Sequence, residues 1–81
     1  MWIDLFRRRG SHKPAEVYKA KVEPHEDGSL SVSVVELRPG GGDKLQRTLV
    51  DSDTVTSLDE AVSVISRASG VPINRVKEAL S

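Results

Sequence analysis

The spacing of apolar residues changes period along this chain, and each change predicts an element. Tyr18, Ala20 and Val22 alternate with Lys19 and Lys21, the two-residue period of a half-buried strand. The alternation resumes at Leu30, Val32 and Val34, after an Asp27-Gly28 pair suited to the positive φ angles of a tight hairpin turn. Pro24 has no N–H to give to a ladder, which places the first of these strands at an edge or frays its end. "RPGGGDK" is a second reversal, leading to a third short strand in "KLQRTLV", with Leu45 and Leu49 on one face and Arg47 between them. Asp51 to Thr54 reads as a loop, although "TVT" offers a continuation of strand. Beyond it the period lengthens to three and four, at Leu58, Ala61, Val62, Ile65 and Ala68, an apolar stripe on a helix. Ser57 and Glu60 form a capping box at its start, and Gly70 ends it in the left-handed conformation. Pro72 suits the first position of a second helix, buried through Ile73, Val76, Ala79 and Leu80.

The segment before these elements, "MWIDLFRRRGSHKP", is apolar and then basic. Trp2 and Phe6, four apart, share a face if they form one helical turn, and Gly10, Ser11 and Pro14 end any such helix. Residues 1–14 are therefore read as a short helix or arm, whose two aromatic side chains cover one end of the core or meet a partner. Residues 15–81 form a single small domain. Strands followed by helices predict an α+β fold: a three-stranded antiparallel meander, then a helix pair packed across one face.

Size sharpens this picture. A chain of 81 residues makes one domain that buries roughly 60% of its unfolded surface, and with no cysteine it has no disulfide to supplement that core. Association into a homodimer is the expected supplement. No stretch approaches the ~20 apolar residues of a membrane span, and the N-terminus lacks a basic region ahead of an apolar run. A soluble, cytoplasmic protein that does not bind membranes is expected, since "MWIDLF" is too short to anchor by itself.

The charges, 12 basic and 12 acidic, cancel in total but not locally. Arg7, Arg8, Arg9, Lys13, Lys19 and Lys21 outweigh Asp4 and Glu16 in the first quarter, whereas Val22 to Glu60 is acidic. Such asymmetry bears on partners, although a charge run is as readily a solvated face. Catalysis and cofactors are not expected. His25 beside Glu26 and Asp27 offers oxygen and nitrogen donors without the spacing of a closed metal site. The serines lack an adjacent base, and "PGGGDK" lacks the Lys-Ser/Thr and following helix of a phosphate loop.

"VISRASGVPINRVKEAL" resembles the helix-turn-helix segment of bacterial and phage repressors of the Cro and lactose-repressor kinds. Ile65 holds the apolar position five residues before the turn glycine, Gly70 is that glycine, and Val71 and Val76 are the apolar residues that follow. Ser66 stands where the family prefers alanine, and the likeness covers about a quarter of the chain. It implies a transcriptional regulator in which the helix from Pro72 enters the major groove of duplex DNA and presents Asn74, Arg75, Lys77 and Glu78. Asn74, Arg75 and Lys77 would meet bases or phosphates. Because the charges from Ser57 to Ser81 balance, backbone contacts would fall to Arg67, Arg7, Arg8, Arg9 and Lys13.

Packing alone explains Gly70, Val71 and Val76 as well, since any tight helix pair requires such residues. The competing expectation is a small adaptor, of the kind phages and plasmids encode, which binds another protein through an exposed sheet edge and has no role with nucleic acid. Both readings describe a non-catalytic binding protein.

Overall fold

The computed structural model of the chain, which describes residues 2–7, 16–37 and 46–81, holds a four-stranded antiparallel sheet followed by two helices. The strands are β1 (Trp2–Arg7), β2 (Glu16–Pro24), β3 (Leu30–Leu37) and β4 (Gln46–Val55), and they lie side by side in chain order. The helices are α1 (Leu58–Ser69) and α2 (Ile73–Leu80). The α+β class is as expected, but the meander has four strands where three were predicted. The additional strand is β1, in the segment read as a helical turn or arm.

Why "WIDLFR" is a strand follows from its neighbours. Trp2 to Arg7 pair in continuous register with Lys21 to Glu16 of β2, which sends Ile3 and Leu5 into the core beside Ala20 and Tyr18. A helix would bury one side of this segment but leave the outer edge of β2 unpaired. The strand satisfies that edge and buries two large apolar side chains, worth roughly 1.5–3 kcal/mol each. β2 is thereby an interior strand. Pro24 is tolerated in it because it stands at the strand's last position.

The turn after Pro24 is wider than a two-residue hairpin. The Gly28 N–H donates to His25 O (3.1 Å) and the His25 N–H to Ser29 O (2.8 Å), with Gly28 at φ 89°. Only the glycine takes positive φ here, as in a three-residue hairpin loop. Asp27 instead accepts bonds from the Ser29 N–H (2.9 Å) and hydroxyl (2.6 Å), which hold its carboxyl below the usual range. On the far side, the residues read as a loop, Asp51 to Thr54, continue β4 to Val55. The strand accommodates them by two register shifts against β3 and by Ser52 at φ 52°.

Both helices pack on one face of the sheet, α1 over β2, β3 and β4 and α2 against β1. The core between them is Ile3, Leu5, Tyr18, Ala20, Val32, Val34 and Val55 from the sheet, with Ala61, Val62, Ile65, Val71 and Val76 from the helical half. The apolar stripe predicted for α1 is the buried one, apart from Leu58, which is exposed in its first turn. The Ser57 hydroxyl accepts the Glu60 N–H (3.2 Å), and the Glu60 carboxylate accepts the N–H and hydroxyl of Thr56 (3.1 Å each). The capping box thus closes one residue further out than the sequence suggested.

Gly70 ends α1 at φ 74°, its N–H bonded to Ser66 O (2.8 Å). A Cβ there would collide with the Arg7 guanidinium, which lies against the turn. Pro72 precedes α2 rather than opening it, and its carbonyl accepts from the N–H groups of Arg75 (3.0 Å) and Val76 (3.2 Å). Two serine hydroxyls stitch the connection: Ser66 donates to Val71 O (2.7 Å), and Ser69 donates to Ile65 O (2.7 Å) while accepting the Val71 N–H (3.2 Å). Ser66 is therefore a structural part of this turn.

Candidate binding surfaces

Three surfaces among the described residues bear on binding: the polar side of the helix pair, the sheet face opposite the helices, and the groove where α2 meets β1.

On the helix pair, Arg67, Asn74, Arg75 and Lys77 are exposed, as predicted for DNA contacts, but they do not converge. Arg67 borders a hollow with Asp59, Glu60 and Val64 on the β4 side of α1. Lys77 lies by Leu58, Asp59 and Leu80, where the start of α1 meets the end of α2. Arg75 is on the other flank of α2, facing β1, in a groove that also holds Asp4 and Glu78. Each of the three cations has a carboxylate in its own hollow, so these three do not form a shared positive surface. Arg7 is half-buried against Gly70. Arg8, Arg9 and Lys13 lie outside the described residues, as do His12 and the glycine-rich reversal.

The opposite sheet face was not foreseen from the sequence, although two of its residues, Trp2 and Phe6, were read as covering the core or meeting a partner. Antiparallel register aligns Phe6, Val17 and Leu37 in one row across it, Asp4, Lys19, Val35 and Thr48 in the next, and Trp2, Lys21 and Ser33 in a third. Neither helix covers this face. Trp2 is 47% and Phe6 57% exposed, large values for aromatic side chains on a sheet. Trp2, Lys19, Val35 and Gln46 border a shallow hollow of about 280 Å³. Charges on the face are paired. Lys19 Nζ is 4.0 Å from Asp4, and Lys21 is bonded to Glu23 while its ammonium stands 5.5 Å from the Trp2 ring centroid. The Lys21 partnership holds the Glu23 carboxyl below its usual range.

A polar rim closes the helix-side core at the Arg7 end. Register sets Arg7 beside Glu16, Tyr18 beside Glu36 and Glu36 beside Arg47. The buried Tyr18 hydroxyl donates to Glu16. Burial first, and the neighbouring Glu16 and Glu36 carboxylates second, push its phenol upward, while Arg7 opposes the shift. This rim acts as a lid on the core. Its tyrosine is committed to the hydrogen bond with the Glu16 carboxylate.

Among the described residues no group of three His, Cys, Asp or Glu side chains is placed to hold a metal, and no helix is long and apolar enough to cross a membrane. No protein-family model, curated protein or solved structure matches the chain. The class of protein is therefore defined by geometry alone: a small α+β domain with helices on one sheet face and aromatic side chains displayed on the other.

Proposed function

We propose that this chain is a non-catalytic binding protein that recognises another protein through the uncovered face of its sheet. The observation that carries the reading is the display of Trp2 and Phe6 on that face, each about half exposed. Aromatic side chains left in water in this way forgo a large burial energy, and they are the residues that anchor protein interfaces. Val35 and Leu37 extend the apolar area across the sheet. The lysines of the face are matched by Asp4 and Glu23, which favours a neutral protein surface over a phosphate backbone as the ligand.

The test is chemical cross-linking of the full chain in its own cells, through the amines of Lys19 and Lys21, with a Trp2→Ser/Phe6→Ser double variant alongside. The expected outcome is a cross-linked partner that the double variant loses while its thermal stability stays close to that of the parent. An identical partner profile in both chains would remove this reading.

A second reading is duplex-DNA binding through α2, favoured by one arrangement: Gly70 separates the helices and leaves Asn74, Arg75 and Lys77 exposed. Its test is the affinity for mixed-sequence duplex at about 50 and 200 mM salt. A protein that neutralises several phosphates loses orders of magnitude in affinity between the two. Negligible binding at the lower salt would exclude it.

A further inference from the structure

The two edges of the sheet are unlike. β4 is broken by two register shifts, kinked at Ser52 with its positive φ, and carries Asp51 and Asp53, both exposed. Bulges and charges of this kind prevent another strand from pairing. β1 has no register shift and no positive φ, and its two charges are engaged, Asp4 with Lys19 and Arg7 against Gly70. Its pairing with β2 is continuous over six residues, without bulge or proline, and among the described residues its other side borders no strand. A row of backbone donors and acceptors is therefore presented along Trp2–Arg7, flanked on the helix side by α2.

Between β1 and α2 runs an open groove of about 360 Å³, bordered by Leu5, Phe6, Val71, Arg75, Glu78 and Ala79. Arg75 and Glu78 are one helical turn apart on the same flank of α2 and carry opposite charges. Asp4, also at the groove, is partnered by Lys19 on the outer face.

We infer that this edge binds a second copy of the chain, β1 against β1 in antiparallel register about a two-fold axis near Leu5, forming one continuous eight-stranded sheet. A two-fold axis makes an interface self-complementary, so each residue meets its counterpart in reverse order. The α2 flank satisfies that requirement. Arg75 and Glu78 both border the groove beside Leu5, and this arrangement reverses α2 between the copies and pairs Arg75 of each with Glu78 of the other. The strand satisfies it as well. Centring on Leu5 places Asp4 opposite Phe6 of the second copy and Ile3 opposite its Arg7. A register centred on Asp4 would instead set two carboxylates directly opposite each other. Main-chain bonds along β1 supply affinity, and the reciprocal charge pairs fix the register. The outer face stays open in this arrangement, so the dimer brings the aromatic surfaces of both copies onto a single sheet.

Sedimentation equilibrium of the full chain near 100 μM, with charge reversals on α2, tests the inference. The parent chain sediments as a dimer. Arg75→Glu alone, or Glu78→Arg alone, sets like charges together twice per dimer and weakens association at least tenfold. Equimolar mixing of the two single variants restores complementarity, and the mixture returns to within about threefold of the parent affinity. Both side chains are exposed, and circular dichroism of each variant checks that the fold is retained. A monomeric parent would overturn the inference and leave the edge to a strand from a different protein. Dimers indifferent to the reversals, or single variants that stay monomeric when mixed, would also overturn it. Failure here leaves the outer-face reading intact, because that reading is tested by the partner profile of the Trp2/Phe6 variant. An identical partner profile in both chains removes that reading and leaves the dimer, read at Arg75 and Glu78, in place.

Discussion

At Gly70 two requirements meet in one residue. The backbone there has φ 74°, and the Arg7 guanidinium occupies the space a side chain would need. Gly70→Ala is expected to cost about 1–2 kcal/mol from the left-handed conformation, with displacement of Arg7 in addition, measured as a lower urea midpoint at unchanged slope. Truncating Arg7 in the same chain should recover only the second part. Tyr18 gives a prediction of a different kind. Its phenol titrates above the ordinary tyrosine value when folded. The folded state therefore holds the proton more tightly, and the corresponding stability is complete below about pH 10 and lost as pH rises past it. Thermal melts between pH 8 and 11 should show this alkaline decline in the parent chain and a shallower one in Tyr18→Phe.

At the scale of elements, the helices were legible, except that Ile73, read as buried in the second, is exposed. The first strand was not, for a reason visible in the residues. The capping pair Ser57 and Glu60, the 3–4 stripe and Gly70 all specify α1 locally, and Ser57→Ala should cost about 1 kcal/mol in chemical denaturation. Ser66 is a further local element of the turn: Ser66→Ala leaves the Val71 carbonyl without its hydroxyl partner and should cost on the order of 1 kcal/mol. "WIDLFR" has apolar residues on both sides of a strand, and Trp2 and Phe6 fall together whether the period is two or nearly four. Only the unsatisfied edge of β2 decides between them, and that is a tertiary fact. The end of β4 was obscured in the same way, since its bulges interrupt the alternation by which a strand is recognised. The candidate surface was half legible for the same reason: the sequence left Trp2 and Phe6 to cover the core or meet a partner, and without the strand it gave no sign of the outer face on which they stand.

Across the whole molecule, the two faces of the sheet serve different ends. One is filled by Ile65, Val32, Val34, Val71 and Val76, all fully buried, and truncation of Ile65 to alanine should cost 2–5 kcal/mol. The other bears Trp2, the only tryptophan of the chain, so its fluorescence reports on that face alone. Acrylamide should quench Trp2 readily in the free protein and much less once a partner is bound. A residue that changes binding without changing stability belongs to the outer face, and one that changes stability belongs to the helix side.

The bulged path of β4 has a consequence for how far this protein is able to grow. A sheet receptive along both margins extends without limit, as fibrils do. Here Ser52 and the register shifts seal one margin, so any strand that joins at Trp2–Arg7 is also the last. Concentrated solutions should scatter light no more than their oligomers require. Straightening β4 by deleting its extra residues would instead license open-ended polymerisation.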